Sequence, residues 1–132
     1  MRDEAPDFLN LEDVLELHAL QLARYGGAAG VRDRGLLQSA VAQPQTTFDG
    51  AFVHDGLFAM GAAYLFHIVQ NHPFVDGNKR VAFQAMYLFL GLNGLRVDAS
   101  EEEVVAIILS LATGDLHEPS LSAWLRDHVT PR

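Results

Sequence analysis

The sequence predicts an all-α fold, a helical bundle with two central apolar helices flanking one loop, and three observations carry that prediction. Apolar residues recur at helical spacing in segment after segment, and most segments sit between a capping residue and a glycine or proline stop. No stretch alternates long enough for a domain-scale sheet. With 132 residues, 49% of them hydrophobic, the chain suffices for one core without staples, and residues 1–132 are expected to form a single domain.

The elements follow in order. Asn10 is placed to cap "LEDVLELHALQLARY", where Leu11, Val14, Leu15, Leu17, His18 and Leu22 recur at helical spacing and Gly26 and Gly27 provide the stop. Asp33 is placed to cap "RGLLQSAVAQ", a short helix ended by Pro44. Between Gln43 and Val53, "QPQTTFDGAFV" combines turn residues with a little β character and reads as a loop or short hairpin. From about Asp55, "DGLFAMGAAYLFHIVQN" is apolar nearly all round, as a central bundle helix should be. A second apolar helix, "NKRVAFQAMYLFLGLNG", runs from Asn78 to Asn93 and stops at Gly94. Ser100 and Glu103 stand in capping-box spacing at the head of "SEEEVVAIILSLATG", which Gly114 ends. The last helix, "SLSAWLRDHV", is expected to be capped by Ser120, with Trp124 in the core.

Composition excludes several function classes. Without cysteine there are no disulfides and no thiolate metal sites. A net charge of -8 argues against a broad nucleic-acid surface, which draws on many Lys and Arg contacts to phosphate. No apolar run reaches the roughly 20 residues of a membrane span, and the acidic start "MRDEAPDFLN" lacks the order of a signal peptide. A cytoplasmic protein is expected.

One stretch breaks the charge logic that the other helices obey. "HPFVDGNKR", His72 to Arg80, contains the chain's only lysine, and both Lys79 and Arg80 fall in the first turn of an apolar helix. Cations there face the positive end of the helix dipole, whereas three glutamates open the helix at Ser100 as the dipole prefers. A bound anion resolves the conflict: backbone N–H groups at Gly77, Asn78 and Lys79 would point off the helix end, glycine would admit a phosphate, and the two side chains would add charge. The plainer reading is a solvated first turn in which Asp76 caps the helix and pairs with Arg80. His72 favours the first, because imidazole is the usual general base and a carboxylate four residues on, Asp76, suits a magnesium ion held on a phosphate. His72 could also merely cap the preceding helix. Phe74 reads as a core anchor of the loop.

The other histidines carry less. His67 stands five residues before His72, a spacing that does not place two ligands on one helix face, and reads as a satisfied core histidine. His18, His54, His117 and His128 are scattered and lie in no metal-binding motif.

"HPFVDGNKR" resembles the signature of the Fic/Doc superfamily, in its death-on-curing (Doc) toxin form, where lysine precedes the final arginine. The resemblance extends over roughly Leu11 to Leu125, with "RYGGAAGVRDRGLLQSAVAQPQ" before the motif and "LFLGLNGLRV" after it. It implies an all-α bundle that transfers a phosphate-containing group from a nucleotide to a protein hydroxyl. By that resemblance His72 takes the hydroxyl proton and Asp76 serves Mg2+ and the phosphates. Gly77 and Asn78 line an anion hole, while Lys79 and Arg80 neutralise the transferred group. Gln43 to Val53 resembles the family's flap, which aligns a target segment by strand-like pairing.

Departures from the AMP-transferring Fic pattern select the reaction. Those enzymes carry Gly-Asn-Gly-Arg and a second arginine three residues on; here Lys79 replaces the second glycine and Phe83 the second arginine. Doc-type toxins with this lysine are protein kinases that phosphorylate a threonine of elongation factor Tu, so the resemblance implies ATP γ-phosphoryl transfer, with AMP transfer as the alternative. A self-blocking Ser/Thr-x-x-x-Glu-Gly/Asn motif is absent, which fits restraint by a separate Phd-like antitoxin. A catalytically inert module that binds an antitoxin or the ribosome is the reading from another class.

Overall fold

The computed structural model describes residues 5–132; the first four residues of the acidic start lie outside them. The helices are α1 (Leu11–Tyr25), α2 (Arg34–Ala42), α3 (Leu57–Asn71), α4 (Asn78–Leu92), α5 (Glu101–Ala112) and α6 (Glu118–His128). Four short strands accompany them: β1 (Thr47–Phe48), β2 (Ala51–Phe52), β3 (Leu95–Val97) and β4 (Val129–Pro131). The fold is all-α in character, and no described helix is long and apolar enough to cross a membrane.

Local chemistry sets most of the boundaries. Asn10 and Asp13 form a capping box at the start of α1, and Ser100 and Glu103 form another at α5. Asp33 accepts from the Leu36 N–H at the head of α2. Helix α6 departs from expectation: it begins at Glu118 with Pro119 in its first turn, so Ser120 lies inside the helix and is not its cap.

The segment from Gln43 to Val53 is a short hairpin. A single 3-10 turn, Gln43–Gln45, leads into β1, which pairs antiparallel with β2. The β3–β4 pair was not expected. It joins Leu95–Val97 to Val129–Pro131 and fastens the chain's last residues beside the end of α4. Arg132 strengthens that fastening, its backbone N–H donating to Gly94 O at 2.9 Å and its guanidinium to Gly91 O at 3.0 Å.

Helix α3 is the hub, packing most extensively against α4 and then α6 and α2. Its apolar character all round follows from that position, with Ala62, Ala63, Tyr64, Leu65 and Ile68 fully buried. Gly61 lets α3 and α4 approach closely, since a Cβ there would stand 3.2 Å from Leu90 Cδ2. Phe89 and Leu90 face it from α4, and Leu121 and Leu125 close the core from α6. Trp124 is only half-buried, packing on the core's edge and stacking on His128 at 4.1 Å. The result is a rigid α3–α4 pair, and the loop between these two helices is His72–Gly77.

Candidate active site

The loop is held from below by two aromatic groups. Phe74 is fully buried, and His18 of α1 stacks on it with ring centroids 3.8 Å apart. His18 Nε2 also donates to Asp76 O at 2.8 Å, so this 5% exposed histidine fixes the loop at two points. In sequence it stands out only as a polar member of an apolar stripe.

A backbone clasp holds the loop from the side. Arg32 N and Asp33 N both donate to Pro73 O, at 2.7 and 3.0 Å, and Val75 N donates to Gly30 O at 3.0 Å. The Arg32 guanidinium then covers the end of α3, donating to His72 O at 2.7 Å and Asn71 O at 2.9 Å. A cation at a helix C-terminus agrees with the dipole, the reverse of the arrangement at α4. Arg32 was missed in the sequence, where nothing local links it to residues 40 positions away.

Asn78 is the latch of the loop and lies 5% exposed. Its Oδ1 accepts from Phe74 N at 2.9 Å, and its Nδ2 donates to Phe74 O at 3.0 Å and to His72 Nδ1 at 3.2 Å. Both Phe74 contacts fix the amide orientation, so the neutral His72 ring carries its proton on Nε2 and a lone pair on Nδ1. A base acting through Nε2 must first place that proton on Nδ1 and give up the long contact to Asn78. His72 itself is the C-cap of α3 in the left-handed region, φ 48°, and its ring is exposed. The backbone strain is sustained by the Arg32 and Asn78 contacts at either end of the residue.

Asp76 is occupied but not consumed. Oδ1 accepts from Gly77 N at 2.8 Å and Oδ2 from Ala28 N at 3.2 Å. These donors, Ala28 first and Gly77 second, hold its carboxyl below the usual carboxylate range, with weaker help from Arg80 and His18. Gly27 makes the approach possible: at φ 117° it favours glycine, and a Cβ would stand 2.8 Å from Asp76 Oδ2. Each carboxylate oxygen keeps a free lone pair, so an exposed, ionised carboxylate is available to a hard cation that takes its other ligands from phosphate and water.

One expectation about the helix end changes: the Gly77 N–H is committed to Asp76 and is not free for an anion. The Asn78 side chain points into the loop. The first-turn N–H groups of Asn78, Lys79 and Arg80 remain without partners inside the helix. Lys79 and Arg80 are exposed, and among the described residues neither is paired with a carboxylate. Arg80 rests on the Tyr25 ring, Cζ 4.4 Å from its centroid. The plainer reading of the sequence, an Asp76–Arg80 ion pair, is thus not formed.

His72, Asp76, Gly77, Asn78, Lys79 and Arg80 together line one open cleft of about 330 Å³. Lys79 and Arg80 also border a larger groove of about 690 Å³ between α4, α1 and α5, whose walls include Tyr25, Phe83, Tyr87 and Leu109. Phe83, where AMP-transferring relatives of the motif carry arginine, is half-buried against Tyr87 in that wall.

An exposed histidine, a clasped carboxylate and two cations without a carboxylate partner among the described residues thus meet at a helix N-terminus, on a loop between two core helices, where the Fic/Doc-like motif of the sequence lies. The chain belongs to the Fic/DOC family, whose profile matches residues 8–90. It is 37% identical over 121 residues to "Toxin Doc" of Mycolicibacterium smegmatis, covering 90% of this chain and 91% of that protein. It is 33% identical over 115 residues to "Protein kinase doc" of Escherichia phage P1, covering 87% and 90% respectively.

Proposed function

We propose that this chain is the toxin of a toxin–antitoxin pair and acts as a Doc-type protein kinase, moving the γ-phosphate of ATP to a threonine hydroxyl of elongation factor Tu and so arresting translation. The observation that carries this reading is Lys79, the chain's only lysine, unpaired beside Arg80 at the head of α4 and facing the same cleft as His72 and Asp76. The name of the phage relative, a protein kinase, supports the choice of reaction.

The residues divide the chemistry as follows. The attacking hydroxyl oxygen bonds to the γ-phosphorus, the bond to the β–γ bridging oxygen breaks, and His72 takes the hydroxyl proton. Lys79, Arg80 and the open N–H groups of the first α4 turn would face the phosphate oxygens, where charge is greatest in transfer. Asp76 would hold Mg2+, which supplies charge neutralisation on the phosphates. The β1–β2 hairpin offers a backbone edge for a target segment. A Phd-like antitoxin would lie as an amphipathic segment in the groove walled by Tyr25, Phe83, Tyr87 and Leu109, beside the cleft.

The test is a labelling experiment with purified protein, elongation factor Tu, Mg2+ and ATP labelled at either the α or the γ phosphate. Label transferred from γ and lost in His72→Ala is the expected result. Transfer from α would establish AMP transfer instead. No transfer with either label, from a folded protein, would leave an inert binding module.

A further inference from the structure

Away from the cleft, three side chains far apart in sequence meet at the root of the β1–β2 hairpin. His54 follows β2, His67 lies on α3 and Glu118 opens α6. One nitrogen or carboxylate oxygen from each lies within 4.8 Å of the others. His54 Nδ1 stands 3.2 Å from Glu118 Oε2, and His67 Nε2 stands 3.2 Å from Glu118 Oε1. His67 is thus satisfied by Glu118 but half-buried, not deep in the core, and His54, scattered from it in sequence, joins it here.

Proton accounting makes the cluster unusual. His54 Nε2 is 2.9 Å from Gln43 Oε1, an oxygen that only accepts, so Nε2 carries the proton. In the neutral ring Nδ1 is then a lone pair, and it faces a carboxylate oxygen. That oxygen, Glu118 Oε2, is buried and has no hydrogen-bond partner. Two electron-pair donors at 3.2 Å repel each other unless a cation joins them.

We propose that His54, His67 and Glu118 hold one divalent transition-metal ion of the zinc class, which clasps the hairpin root to α3 and α6. Two imidazoles and a carboxylate suit zinc and not magnesium. Zinc bond lengths near 2.1 Å imply ligand separations of roughly 3.4 Å around a tetrahedron, close to both of the shorter approaches. Gln43 supplies the outer contact that metal-binding histidines use to fix ring and tautomer. Water completes the fourth position. A proton shared between His54 and Glu118 is the rival cation, but the missing hydrogen bond at Oε2 speaks against it.

The experiment uses the full chain, stripped with a chelator and titrated with Zn2+ alone by calorimetry, with Mg2+ as comparison. One saturable Zn2+ equivalent, a rise in Tm on binding, and a Co2+ form with the visible absorption of a tetrahedral site are expected. His67→Ala and Glu118→Gln should abolish binding, Gln43→Ala should weaken it about 10–100-fold, and His128→Ala should leave it unchanged. His54 is half-buried, so the His54→Ala result is read on protein whose circular dichroism and urea midpoint match the wild type. The proposal is overturned if the wild-type chain takes up no stoichiometric Zn2+, or if His54→Ala binds as well as wild type. It is equally overturned if Tm does not respond to Zn2+.

Discussion

Asn78 organises the site by facing inwards. Its amide closes on the Phe74 N–H and C=O, both buried, and the remaining N–H fixes the His72 ring. Removing the amide would leave two buried backbone groups without partners, each costing about 1–3 kcal/mol. Asn78→Ala is therefore expected to lower unfolding free energy in urea by about 2–4 kcal/mol. It should also lower turnover beyond any loss of folded protein, because the His72 ring loses the contact that orients it. Asn78→Asp restores the acceptor for Phe74 N but neither donor, and should recover part of the stability and little of the turnover. An Asn78→Ala variant that unfolds at the wild-type urea midpoint would show that the latch is dispensable. The motif placed Asn78 in the sequence; its inward role was not legible, because a polar residue at a helix start reads equally as a solvent-facing donor.

Helix ends were the most legible elements, since capping depends on residues within one turn. Asn10, Asp33 and Ser100 all act as caps where the sequence places them, and Gly26 and Gly94 both take positive φ. The short strands were least legible. β3 and β4 are three residues each and pair across more than 30 intervening residues, so no local period announces them. The same holds for Arg32 over α3 and for the His54–His67–Glu118 cluster, which exist only once distant elements meet. A titratable link between α5 and α6 is of this kind: His128 Nδ1 donates to Trp124 O at 2.7 Å, and its Nε2 lies 3.2 Å from Glu103 Oε2. The Trp124 carbonyl first, and Glu103 less, raise the His128 pKa above its ordinary 6.5. The Ser100 N–H first, then His128, lower that of Glu103 below 4.5. A raised histidine pKa adds stability that is fully present below 6.5 and is lost as pH rises through the folded-state value. The lowered Glu103 pKa adds stability present above 4.5 and lost as pH falls through its own folded-state value. The Tm difference between wild type and His128→Ala should thus be largest between these limits and shrink as the solution becomes alkaline. Glu103 is exposed and His128 only half-buried, so the effect is small and should weaken with added salt. A difference that grows as pH rises beyond 6.5 into the alkaline range would refute the link.

On the scale of the whole molecule, net charge and the head of α4 act in opposite directions on an anion. A net charge of -8 opposes the approach of a polyphosphate. The head of α4 reverses this locally, where Lys79, Arg80 and the open first-turn N–H groups face one cleft that also contains His72. For folding alone Lys79 is misplaced, since a cation in the first turn of a helix costs about 0.3–1 kcal/mol. Stability and activity should therefore separate in Lys79→Ala. Its unfolding free energy should be unchanged or higher by up to about 1 kcal/mol. Phosphoryl transfer should fall about 100- to 1000-fold, the effect of losing one preorganised group that stabilises transition-state charge. Lys79→Arg separates charge from geometry: a planar fork restores charge at another distance and should recover nucleotide binding better than turnover. Measuring ATP binding, single-turnover transfer and urea unfolding on the three proteins decides the matter. A stability loss above about 1 kcal/mol in Lys79→Ala would make the lysine part of the fold, and the anion reading of the helix end would fail with it.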